Sequence, residues 1–214
     1  EGARAALIDV AVVGDEWIPY SRQPLYPLVL TPWYRLGGYR GMLVFSILGT
    51  WIASVASAGI ARLFDRRFSI PALWITGLGS PLLFDSYVVL AHSTAAAASG
   101  LLGYGLLRAW GFGDDGSTSG PDLRWLMCAV PSAVALILLR SEGAVVVASV
   151  AVVSLLLSVS GHLRSLRLDR RRALSAVAVG AVGAVTYLAN AIWGSAIAGR
   201  SVGAAIAAGR DTDP

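Results

Sequence analysis

The sequence predicts an all-α membrane protein, a polytopic helix bundle with about six transmembrane helices and one short interfacial helix. Hydrophobic residues make up 56% of the 214 positions and charged residues only 14%. The mean hydropathy is +0.66. Apolar runs of about 20 residues, enough to cross a ~30 Å hydrocarbon layer, alternate with short charged stretches. A water-soluble fold of this composition has too little polar surface to cover itself.

The predicted spans lie near 41–63, 70–88, 90–110, 123–140, 143–161 and 173–193. All six read as helices, because backbone groups in lipid must be satisfied within their own segment and alternating strands suited to a barrel are absent. Gly49, Ser54, Ser57 and Gly59 recur within the first span, and small residues of this kind let helices approach closely. Residues 24–38 are too short and proline-broken to cross, and read as an interfacial helix with Tyr26, Trp33 and Tyr34 at headgroup level.

Arginine placement sets the orientation. All 17 basic residues are Arg, a usage that suggests a bacterial, high-GC genome. Arg62, Arg66 and Arg67 follow the first span, and Arg108 and Arg124 flank the 111–122 loop. Arg164, Arg167, Arg170, Arg171 and Arg172 follow the fifth. These loops are expected in the cytoplasm. The alternate connections carry only Arg140, so both termini fall outside. The chain divides into an outer segment with the interfacial helix (1–40), the bundle (41–193) and the start of an outer loop (194–214). It opens on Glu1 and closes on a Gly/Ala-rich stretch, as a piece of a longer protein does.

Several chemistries find no support. The Arg residues sit in loops, with no basic stripe interleaved with aromatics, so nucleic acid is not an expected partner. The single Cys128 reads as a small buried hydrophobe and can form no internal disulfide. There is no Cys/His metal spacing and no Gly-x-Ser-x-Gly elbow. Asp114 and Asp115 lie in a Gly/Ser-rich loop without a phosphate-binding lysine and read as solvated.

The acidic groups outside the cytoplasmic loops fall on one face: Asp15 and Glu16 before the bundle, Asp85 between spans two and three, Glu142 between four and five. Ionisable groups at membrane depth are costly and mark substrate or ion paths. Arg140 and Glu142 share a tight outer turn, where a planar guanidinium suits phosphate oxygens and the carboxylate orients it. His92, near the outer end of span three, is a candidate proton carrier or phosphate donor. His162 reads as a surface residue beside the cytoplasmic Arg cluster.

At these residues the chain resembles the polyprenyl-phosphate-sugar-dependent membrane glycosyltransferases of the GT-C class, the group of protein O-mannosyltransferases and aminoarabinose transferases. The likeness is carried by Gly14-Asp15-Glu16, Pro24-Leu25-Tyr26-Pro27-Leu28, Ser80-Pro81-Leu82-Leu83-Phe84, Arg140-Ser141-Glu142-Gly143 and Ile192-Trp193-Gly194-Ser195. It implies the N-terminal half of such an enzyme without its first helix, at the plasma membrane, with the active site on the outer face. The donor is a polyprenyl-phosphate-linked sugar and the acceptor a glycan, lipid or protein. No cofactor is implied, and a divalent metal is not indicated. By resemblance Asp15, with Glu16 as its rival, is the general base that takes the acceptor proton. Arg140, supported by Glu142, stabilises the departing lipid phosphate. Arg22, His92 and Asp85 make weaker phosphate or acceptor contacts. The acidic pair stands only eight residues before Pro24, closer than in many relatives, and His92 stands where many place an acid. The competing readings are a transporter or flippase-like protein and a non-catalytic scaffold of an envelope assembly complex.

Overall fold

The computed structural model describes residues 9–13, 16–20, 25–113, 122–140, 142–160 and 170–198. Helices carry nearly all of them, as the sequence predicts. They are preceded by a two-stranded antiparallel hairpin, β1 (Asp9–Val13) and β2 (Glu16–Tyr20), in which Val13 stands opposite Glu16. The helices are α1 (Leu25–Phe64), α2 (Ser69–Leu78), α3 (Leu82–Asp85), α4 (His92–Ala109), α5 (Leu126–Leu139), α6 (Gly143–Ser160) and α7 (Arg170–Ala198).

The first helix is two rods. Gly37 (φ −148°, ψ 16°) and Gly38 (φ 57°, ψ −143°) leave helical geometry, and the second of these conformations is open to glycine alone. The prolines expected to break residues 24–38 do not do so. Pro32 lies inside the helix, and Pro27 in its first turn costs no hydrogen bond. The resulting arm, residues 25–36, folds back on the following rod. The rings of Tyr26 and Trp33 approach that of Phe45, with centroids 6.3 and 5.8 Å apart.

The second expected span, 70–88, is not one helix. Its helical part is the ten-residue α2, which stops at Gly79. Pro81 has no amide and disfavours helical backbone at the residue before it. Ser80 takes over locally: its Oγ donates to the Thr76 carbonyl at 2.6 Å and accepts from the Leu82 amide at 3.3 Å. One further turn, α3, follows, and the Thr50 hydroxyl ties it to α1 by donating to the Leu82 carbonyl at 3.1 Å.

Close approaches fix the directions of the helices. A Cβ on Gly49 would lie 2.9 Å from the Thr94 nitrogen, and one on Gly100 would meet Ala56, so α1 and α4 run parallel. Gly77 faces Ser54, so α2 returns along α1. Gly105 lies against Trp125 and Ala129, so α5 runs back along α4. Gly180 and Gly183 pack on Ala151 and Val147, which sets α6 and α7 antiparallel. The helix ends therefore sort into two sets. Arg62, Arg66, Arg67, Arg108, Arg124 and Arg172 gather at one end, while Asp85, His92, Arg140 and Glu142 gather at the other. Arg35 and Arg40 flank the Gly37–Gly38 break, so the second end carries more positive charge than the loops alone suggested.

The interior is made of small and hydroxylated residues. Ala53, Ala56, Ala95, Ala98, Ala129 and Ala133 are buried, with Leu102, Leu106, Leu136, Ile137, Val147 and Val179 filling the junction of α4 to α7. Buried Ser54, Ser132, Ser154 and Ser175 donate to carbonyls three or four residues earlier in their own helices, so their hydroxyls need no water. Large apolar side chains point outward, among them Trp51, Trp74, Ile75, Leu156 and Leu188. This distribution is the reverse of a water-facing surface, which rarely carries apolar patches of such extent. Two helices are long and apolar enough to cross a membrane, α1 and the Arg172–Trp193 part of α7, and Leu123–Leu139 and Gly143–Ser158 are shorter apolar helices.

Candidate functional site

The end opposite the arginine cluster carries two charged pairs on adjoining helices. The first depends on the break after α2. Because α3 is a single turn followed by a non-helical link, Asp85 at its end comes back to His92 at the start of α4. The His92 Nδ1 lies 3.7 Å from Asp85 Oδ2, with side-chain exposures of 40% and 27%. At that distance the contact is an ion pair when the imidazole is protonated and lies beyond a good hydrogen bond when it is neutral. Ser86 beside it is held by donating to the Leu83 carbonyl at 2.6 Å.

The second pair sits in the turn between α5 and α6. Arg140 leaves the helix with extended backbone (φ −148°, ψ 142°), which turns its side chain toward Glu142. Arg140 Nε donates to Glu142 Oε2 at 3.1 Å and Nη2 to Oε1 at 3.2 Å, a bidentate side-on pair. Glu142 is 66% exposed and Arg140 32%, so the guanidinium is the better shielded partner. Among the described residues no group of three or more His, Cys, Asp or Glu side chains is placed to hold a metal ion.

The structure thus brings together Asp85 with His92, and Arg140 with Glu142, at one end of one bundle. Asp15 and Arg22 lie outside the described residues, as do Asp114, Asp115 and His162. Glu16 opens β2, opposite Val13, and only its backbone is described.

Sequence reasoning missed a second layer of polar groups under the arm. Ser46 and Ser93 are fully buried, and neither hydroxyl makes a hydrogen bond of good geometry. The Tyr26 hydroxyl of the arm is likewise buried without a hydrogen bond of good geometry. The signal was present as Ser46, Gly49, Thr50, Ala53 and Ser54, small residues at helical spacing on one face of the first span. An apolar groove of about 310 Å³ opens beside this face, between Trp51 and Trp74, with Thr50, Ser54 and Ser86 among its lining residues.

No family model, no curated protein and no solved structure matches this chain.

Proposed function

We propose that the chain is a multi-pass protein of the plasma membrane, and that its acidic end, on the outer face, transfers a sugar from a polyprenyl-phosphate donor to an acceptor hydroxyl. The bilayer placement is supported by the outward-facing large apolar residues and the hydroxyl-lined interior. Six crossings follow if α2 and α3 count together as one. They climb along α1 from the Arg62 level to Thr50, which holds the Leu82 carbonyl, about 18 Å at 1.5 Å per residue. The arginine-rich end then faces the cytoplasm.

One observation carries the catalytic reading: Arg140 holds a planar, shielded guanidinium at the same end as the Asp85–His92 pair. In sugar transfer the lipid phosphate departs as an anion, and a fixed cation stabilises that charge where it develops. The acceptor hydroxyl is a poor nucleophile and needs a carboxylate to take its proton. Asp15, with Glu16 as rival, is assigned that role by resemblance, with Arg22, His92 and Asp85 as phosphate or acceptor contacts.

The experiment is transfer from labelled polyprenyl-phosphate sugars in membranes carrying the protein, comparing wild type with Asp15→Asn and Arg140→Ala. Both variants are expected to insert normally and lose transfer. Normal transfer by Asp15→Asn removes the base assignment, and normal transfer by both removes the site.

A second reading is favoured by the break between α2 and α3, since interrupted helices are a mark of transporters. Uptake of a labelled solute by vesicles, with no covalent product, would select it.

A further inference from the structure

On the face of the bundle formed by α1 and α4, a second apolar groove of about 410 Å³ runs between the helices, lined by Leu48, Trp51, Val55, Gly59, Leu101 and Tyr104. It exists because Gly59 has no side chain: a Cβ there would stand 3.0 Å from the Tyr104 ring, which closes the groove on the side of the arginine-rich end. On α1 the lining residues Leu48, Ile52, Val55 and Gly59 follow helical spacing, and the next residue in that series is Arg62. On α4 they are Leu101 and Tyr104, and the next is Arg108. Both walls of the groove therefore end in an arginine at the same end of the bundle.

Arg108 is held in place. Its Nη1 donates to the Phe112 carbonyl at 3.3 Å, and its guanidinium carbon lies 4.9 Å from the centre of the Trp125 ring. Tyr104 packs edge-on against the same ring, with centroids 5.4 Å apart. Arg66, Arg67 and Arg124 lie at the same end of the bundle. Among the described residues the acids of this end are Asp65 and Asp122, each accepting from a backbone amide two residues on, those of Arg67 and Arg124. Among the described residues of this end Arg62, Arg66, Arg67, Arg108, Arg124 and Arg172 outnumber these two acids, and the groove runs toward them.

We propose that this groove binds one anionic glycerophospholipid, an acyl chain lying between α1 and α4 and the headgroup phosphate meeting Arg62 and Arg108. Apolar burial of the chain and charge-assisted hydrogen bonds to the phosphate are the two interactions such a lipid requires. The inference rests on the bilayer placement and is independent of sugar transfer.

The test uses the full chain in neutral detergent micelles, titrated with phosphatidylglycerol or phosphatidylcholine bearing brominated acyl chains, with quenching of tryptophan fluorescence as the readout and inorganic phosphate as a competitor. Phosphatidylglycerol is expected to bind saturably and at least tenfold more tightly than phosphatidylcholine, with millimolar phosphate unable to displace it. Arg62→Gln and Arg108→Gln each bring phosphatidylglycerol toward the phosphatidylcholine level. Arg66→Gln removes the same charge away from the groove walls and keeps the preference. Ile52→Trp, at a half-exposed position, fills the groove and weakens both lipids without touching the core, and circular dichroism checks that every variant keeps its helices. Equal binding of the two lipids overturns the proposal, as does a preference that survives both groove substitutions or displacement by phosphate alone. So does an Ile52→Trp effect that proves to be loss of self-association. Quenching by neither lipid would count against the bilayer placement itself.

Discussion

Arg140 offers one edge of its guanidinium to both oxygens of Glu142 across the turn that joins α5 to α6, at 3.1 and 3.2 Å. Two parallel bonds fix the plane of the guanidinium as well as its position, which a single lysine-like contact could not do. Because Glu142 is well exposed, the pair adds little to stability, about 0–1 kcal/mol. Arg140→Ala is therefore expected to leave the midpoint of denaturant-induced unfolding in micelles almost unchanged while lowering transfer by about 10²-fold, the usual cost of one missing donor to a developing anion. A large shift in the midpoint would make the pair a structural brace.

Glu142→Gln separates positioning from charge. The amide keeps one acceptor oxygen for the guanidinium and loses the bidentate clamp. Transfer should fall less than in Arg140→Ala, by about tenfold, as orientation is weakened while the cation remains. Equal losses in the two variants would give Glu142 a direct part in the reaction.

Gly105 sits where α4 meets the first turn of α5, and a Cβ there would stand 2.9 Å from the Ala129 nitrogen and 3.0 Å from the Trp125 carbonyl oxygen. Backbone cannot step aside as a side chain end can. Gly105→Val is expected to cost about 1–3 kcal/mol or more by forcing the helices apart. Unfolding titration in mixed micelles measures it, and an unchanged midpoint would contradict the parallel and antiparallel packing that sorts the charges.

At the arginine-rich end Trp110 Nε1 donates to Ser175 Oγ at 2.9 Å and joins α4 to α7. Ser175 is fully buried, so Ser175→Ala leaves the indole without its acceptor. The expected loss is about 1–3 kcal/mol of stability, with no effect on the transfer proposed for the other end.

The bend at Gly38 has its own signature. Its φ of 57° with ψ of −143° is costly for any residue with a side chain, about 1–3 kcal/mol. Gly38→Ala should release the arm from Phe45. Limited proteolysis in micelles is expected to cut near the bend faster in Gly38→Ala than in the parent, and equal rates would contradict the bend's dependence on glycine.

The helical class, the bounds of α4, α5 and α6 and the separation of Arg62, Arg66, Arg67, Arg108, Arg124 and Arg172 from Asp85 and Glu142 could be read from the chain, because apolar length and charge placement are local properties. The Arg140–Glu142 pair was legible for the same reason, its partners being two positions apart. Asp85 and His92 were each visible, yet their meeting was not. It depends on the helix stopping at Gly79–Pro81 and resuming for one turn, a tertiary choice backed by the Thr50 bond to Leu82. Pro32 misled in the opposite direction. The residue type predicts a break, but the glycine pair beyond it supplies the bend at lower cost. The β1–β2 hairpin is too short, and too near a Gly-Asp pair, for alternation to stand out.

The central claim is that the helices cross a bilayer with the Asp85–His92 and Arg140–Glu142 ends on the outer face. Single cysteines placed at Tyr87, Glu142, Arg66 and Arg124 in a Cys128→Ser background, labelled in intact cells with a membrane-impermeant maleimide, test it directly. Positions 87 and 142 are predicted to label from outside, and 66 and 124 only after permeabilisation. Labelling of 87 and 142 on opposite sides, or of all four from one side, would contradict it.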